Sequence, residues 1–208
     1  KVALRGLDKV VAVSDETLTR VVAAGVPAAR VVVIHNAIVA KDYRAEAFPA
    51  GVFRRQIGVE GDAVLVGNIG RLSPEKGQRD FLLGAAPLAR EDPRIHLVFA
   101  GHGPDAEALQ ALVAELGLTG RVTFAGHLKD VRPVYRDLDV LALTSYTEGF
   151  PNVIMEALCM DVPVLATDVG GVRELMTDGV TGVLVPSGRP DQIDAGLQVR
   201  GALTAEHG

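Results

Sequence analysis

Short apolar runs, each leading into a helical pattern, restrict this chain more than any other feature. Val31 to Ile34, Ala63 to Ile69, Ile95 to Ala100, Val122 to Ala125, Val140 to Thr144 and Val162 to Ala166 are near-continuous in apolar residues. Lys9 to Ser14 and Thr181 to Pro186 read the same way. A strand with one wet face alternates apolar and polar residues, whereas a strand covered on both faces does not. Between the runs lie helices with their punctuation. Ser14 or Asp15 caps one that Gly25 ends, a second runs from about Gly77 to Arg90, and Asp105 caps a third that Gly117 ends. Shorter helices are expected at Phe53 to Ile57 and Val131 to Arg136. Strands and helices alternating in this way predict an α/β fold, a parallel sheet with helices on both faces.

The chain has 208 residues, 48% of them hydrophobic, which is ample for a core. Its net charge of −5 and the absence of a basic stripe exclude a general nucleic-acid surface. One cysteine, Cys159, excludes a disulfide framework. No apolar run reaches the eighteen or so residues of a membrane span, and no secretory signal opens the sequence, so a cytoplasmic location is expected. Arginine outnumbers lysine and alanine is abundant, a composition of GC-rich bacterial genomes. The start at Lys1 and a polar end at Gly208 with no clear closing element are read as a fragment of a longer protein.

Two loops carry the chemistry. After the run Val140 to Thr144 the chain reads Ser145-Tyr-Thr-Glu148-Gly149-Phe150-Pro-Asn152-Val153-Ile154-Met-Glu156-Ala-Leu158. A helix opens near Asn152, so Glu148 sits on the preceding turn and Glu156 just over one turn inside, at about 3.6 residues per turn. Between them lie the free N–H groups of a helix N-terminus, a ready anion site. Phosphate donors thus stand beside two carboxylate acceptors for hydroxyls. The second loop, Gly70-Arg71-Leu-Ser-Pro-Glu-Lys76-Gly77, follows the run Ala63 to Ile69. Its Arg71 and Lys76 project from the carboxyl edge of the sheet, where open α/β folds bind ligands. It is not a P-loop, since no Gly-Lys-Ser/Thr follows. Gly101-His-Gly103 lacks the third glycine of a dinucleotide fingerprint, which disfavours an oxidoreductase.

The Glu148-Gly-Phe-Pro…Glu156-Ala-Leu string and the Gly70-Arg-Leu…Lys76-Gly string together resemble the family 4 (group 1) retaining glycosyltransferases of GT-B fold. The resemblance runs from about Val10 to Pro186. It implies a Rossmann-like donor-binding domain over 39–208, truncated at its end, and over 1–38 the tail of the N-terminal acceptor domain. It implies transfer of a sugar, with retention, from a UDP- or GDP-sugar. Glu148, Arg71 and Lys76 are then the catalytic residues. Gly70, Arg71, Lys76, Leu128, Asp130, Glu148, Gly149, Phe150, Asn152, Val153, Ile154 and Glu156 hold the donor, with Glu156 on the ribose and the Leu128 turn on the base. No cofactor and no metal is implied. Asp137-Leu-Asp139, which spells a metal-binding string in other glycosyltransferases, is read as a helix end and a strand start. The resemblance further implies that the acceptor, a sugar, lipid or small molecule, meets the missing N-terminal domain, and that the full-length protein is compatible with peripheral contact at the inner face of the membrane. The rivals are a sugar-nucleotide epimerase of the same fold and a non-catalytic nucleotide-sugar-binding module.

Several lesser expectations follow from single residues. Asp161 stands in a left-handed helix end, and the Gly170-Gly171 pair lets backbone approach closely. Glu174 anchors structure. His102 and His127 both follow strand ends but lack a third ligand for a metal. Asp191 caps a final helix.

Overall fold

A computed structural model describes residues 7–59 and 61–205, with side chains in the last helix described through Gln198. Two parallel strands come first, β1 (Val10–Ala12) and β2 (Val31–Val33), connected through α1 (Asp15–Ala23). They form a separate two-stranded sheet around Ala12, Val26 and Val31. Ser14 caps α1, its Oγ accepting the N–H of Thr17 at 3.0 Å.

After short turns and α2 (Val52–Gln56), the chain alternates strand and helix to its end. The elements are β3 (Val64–Ile69), α3 (Gln78–Glu91), β4 (Ile95–Ala100), α4 (Ala106–Glu115), β5 (Val122–Gly126), α5 (Arg132–Asp137) and β6 (Val140–Leu143). Then follow α6 (Asn152–Cys159), β7 (Val164–Thr167), α7 (Val172–Leu175), β8 (Val183–Val185) and α8 (Pro190–Ala205). All neighbouring strands are parallel, in the order β5-β4-β3-β6-β7-β8. Successive side chains of a strand point to opposite faces. Val66, Leu97, Phe99, Val140 and Ala142 accordingly enter the core under α3, α4 and α8, while Leu65, Val98, Leu141 and Leu143 enter the other, under α5 and α6. Both faces are covered, which is why the runs lack alternation.

The strand order sets the site. From β3 the chain winds outward to one side, and from β6 to the other. β3 and β6 lie side by side at the reversal, so the loops leaving them diverge and open a crevice at the carboxyl edge.

The Asp-x-Asp pair sits at the opposite edge. Asp137, 5% exposed, closes α5 and accepts the N–H groups of Gly51 (2.6 Å), Phe53 (2.8 Å) and Arg54 (3.1 Å) at the start of α2. Asp139 accepts from Arg54 Nη2 and from Leu65 N–H, each at 2.7 Å. These are the helix end and strand start expected. Asp137→Ala leaves one buried and two half-buried donors without their acceptor and is expected to cost about 2–4 kcal/mol, read as a lower urea midpoint at unchanged slope.

Three expectations need correction. The stretch read as a polar tail contains a helix: α8 places Ile193 and Leu197 in the core against α3, so its polar sequence holds a narrow apolar stripe. Asp191 does not cap it, because the helix begins at Pro190 and the Asp191 carboxylate pairs with Arg189 at 2.6 Å. Asp105 stands at the N-cap of α4, but in a helical backbone conformation, and its side chain makes no capping bond. Asp161 has a φ of 58°, as expected. Among the described residues no helix is long and apolar enough to cross a membrane.

Candidate functional site

The two loops are fastened directly to each other. Gly77, at a φ of 63°, has no side chain to collide with the Thr144 carbonyl, so the end of the first loop lies directly against the start of the second. Thr144 Oγ1 donates to the Gly77 carbonyl at 3.0 Å, and Tyr146 N–H to that of Glu75 at 2.8 Å. Below them, buried Asn68 on β3 donates to the Ala142 carbonyl on β6 at 2.9 Å. Buried Gln78 donates to the Arg71 carbonyl at 2.8 Å. A polar layer thus fixes the backbone from which Arg71 and Lys76 project.

The crevice, about 290 Å³, is lined by Gly70, Arg71, Lys76, Glu148, Phe150, Asn152 and Val153, with Asn36 at its rim. Arg71 is exposed and, among the described residues, makes no ion pair. Lys76 does: its Nζ lies 2.7 Å from Glu148 Oε1, which also accepts from Ser145 Oγ at 2.6 Å. The Glu148 side chain is only 9% exposed. The sequence places these charges near one crevice but gives no sign that they neutralise each other.

The turn before α6 is held from behind. Gly171 N–H donates to the Gly149 carbonyl at 3.1 Å, an approach that side chains at Gly170 and Gly171 would block. Asn36 Nδ2 donates to the Phe150 carbonyl at 2.9 Å, and the His35 ring stacks on that of Phe150 at 4.7 Å. At the start of α6, Asn152 and Val153 face the crevice with N–H groups that lack helical partners. Ile154 does not: its N–H reaches the Pro151 carbonyl at 3.3 Å and its side chain is fully buried.

Glu156 lies outside the crevice lining. Its Oε1 accepts from Tyr43 Oη at 3.2 Å and its Oε2 from Tyr135 Oη at 2.7 Å. Burial, then the Glu156 charge, push the Tyr135 hydroxyl well above its usual range, and the same causes raise Tyr43. Both phenols therefore remain donors at neutral pH. Neither tyrosine is signalled by a motif, since both contacts are long-range. Leu128 lines an adjoining hollow of about 500 Å³ with Gly70, Arg71, His102, His127 and Val131. The two histidine rings meet edge to face at 5.6 Å, the proximity their strand-end positions imply. Asp130 instead pairs with Arg132 at 2.8 Å, which holds its carboxyl below the usual range.

Glu174 anchors structure, accepting the N–H groups of Asp15 (3.0 Å) and Glu16 (3.2 Å), with His35 Nε2 3.2 Å away. Asp15, His35 and Glu174 bring possible ligand atoms within 4.8 Å of one another, but the Glu174 carboxylate is already engaged. A further hollow of about 500 Å³ opens at the amino edge near Arg54, Arg94 and Asp139, away from both loops, and its arginines are paired to aspartates.

The family described as Glycosyl transferases group 1 matches residues 63–198, which contain both loops and all six strands of the main sheet. The chain belongs to this family. Among group 1 relatives, a D-inositol 3-phosphate glycosyltransferase of Nocardia farcinica is 39% identical over 141 residues, covering 64% of this chain and 31% of that protein. An uncharacterized glycosyltransferase of Methanocaldococcus jannaschii is 34% identical over 147 residues, covering 70% of this chain and 37% of that protein. Anabaena HepE, solved with UDP-glucose, superposes with a TM-score of 0.86 at 29% identity, covering 99% of this chain and 56% of HepE. The chain thus spans about a third of the length of these curated relatives. The likeness to HepE extends over the two-stranded sheet as well as the main one, and such neighbours are GT-B glycosyltransferases.

Proposed function

We propose that this chain is the donor-binding part of a retaining, metal-independent glycosyltransferase that uses a UDP-sugar. Residues 1–38 then belong to the acceptor-side domain and 39–208 to the donor domain. The observation that carries this reading is the crevice between β3 and β6, where Arg71, Lys76 and the N-terminus of α6 converge beside a carboxylate. A departing nucleoside diphosphate gains negative charge as the glycosidic bond breaks. Two cations and an oriented helix end can stabilise that charge without a divalent ion. Glu148, with the Gly149 and Phe150 N–H groups, would hold the sugar hydroxyls. Glu156 would hold the ribose, and the hollow at Leu128 would take the base. HepE crystallised with UDP and with UDP-glucose supports uridine over guanosine. Acceptor chemistry and the exclusion of water need the rest of the cleft, so the chain alone should bind donor and transfer little.

The test is a calorimetric titration of the chain with UDP and GDP, with and without chelator, repeated on Glu156→Ala. Expected are saturable UDP binding indifferent to chelator and a loss of roughly ten- to a hundredfold in the variant. Binding that chelator abolishes would overturn the metal-free reading, and unchanged affinity in the variant would remove Glu156 from the ribose.

A further inference from the structure

We infer that Tyr135 and Tyr43 are positioning residues that turn Glu156 into a receptor for a cis-diol. The inference rests on the proposed nucleotide site and names what orients its ribose carboxylate. A carboxylate has about four lone-pair positions over its two oxygens. Here each oxygen accepts one phenol, Tyr43 on Oε1 and Tyr135 on Oε2. One position per oxygen is left, and both stay with a carboxylate whose rotation is blocked. Two adjacent hydroxyls, each donating to one oxygen, complete that set, which matches the 2′ and 3′ hydroxyls of a ribose.

The two phenols are themselves fixed. Tyr135 is fully buried in the core beside α6. Tyr43 comes from the segment joining the two sheets, which docks on the start of α5. There Arg132 lies 5.0 Å over the Phe48 ring, and its Nη1 is 3.5 Å from the Asp42 carbonyl. Burial and the neighbouring carboxylate keep both hydroxyls protonated, so both remain donors to Glu156. Glu156 is thus oriented jointly from α5 and from the segment that joins the two sheets.

The experiment measures affinity for UDP, 2′-deoxy-UDP and 3′-deoxy-UDP by calorimetry on the wild-type chain, Tyr135→Phe and Tyr43→Phe, with circular dichroism to check folding. The wild type should prefer UDP over either deoxy analogue by roughly tenfold or more. Tyr135→Phe should lose most of that preference, with affinity for the deoxy analogues little changed. Tyr43→Phe, at a less buried position, should lose part of it. If the wild type discriminates and both variants weaken all three ligands alike, the tyrosines serve structure only and the inference is overturned. If the wild type binds UDP but does not discriminate, or binds none, the nucleotide reading of Glu156 fails first and the inference falls with it.

Discussion

Lys76→Ala should lose more affinity for UDP than the double variant Lys76→Ala/Glu148→Gln. On the proposed reading the lysine has two duties. It would offer a cation to the diphosphate, and at 2.7 Å it neutralises a carboxylate that is only 9% exposed. Removing it alone leaves that carboxylate in the crevice with the incoming anion. At an effective dielectric constant of about 20, like charges about 5 Å apart repel by about 3 kcal/mol, which adds to the 1.5–3 kcal/mol lost with the charged contact. The single variant should therefore bind roughly a thousand- to ten-thousandfold more weakly, and the double variant should recover at least about tenfold. Calorimetry at low salt reads the difference, since salt screens it. A double variant that binds as poorly as the single one would show that Glu148 does not feel the diphosphate.

Gly170→Ala should be strongly disruptive near the site. The residue sits at a φ of 56°, and an added Cβ would run into the carbonyl of Glu148. The left-handed conformation costs an L-residue about 1–2 kcal/mol, and displacing backbone adds more. A total of about 3 kcal/mol lowers the melting midpoint by roughly 6–12 °C in a domain of this size. Because the obstacle is the backbone of Glu148, UDP affinity should fall as well. Gly188→Ala is the control: its φ is 71° but nothing lies within 4 Å of the added atom. It should show the conformational cost alone and bind UDP normally. Equal losses in the two variants would mean that the contact with Glu148 has no consequence.

The sheet was legible because every central strand is apolar on both faces, and the crevice because its cations and its helix entrance follow strand ends. What the sequence hides is pairing over distance. Tyr43 and Tyr135 carry no local signal that they meet at Glu156, and Lys76 and Glu148 read as independent ligands of a substrate rather than as partners. The resemblance implies a donor contact for Ile154, yet its N–H bonds to Pro151. Asp130 fell near the site by its position, yet the arginine two residues on engages it. The last helix is obscure for another reason. Among the described side chains of α8, Ile193 and Leu197 dock on α3, two positions too few for periodicity to show.

β3 and β6 lie together at the middle of the sheet, Val66 beside Val140. No partly folded form that lacks this pairing contains the crevice, so occupancy there draws on the folding equilibrium of the entire domain. A ligand bound only by the folded chain contributes about 2.7 kcal/mol at a hundred times its dissociation constant. That is comparable to the loss from a severe core substitution. On the proposed reading, nucleotide concentration and core packing are therefore interchangeable supports for this domain, and a variant too unstable to persist empty would be maintained by its donor.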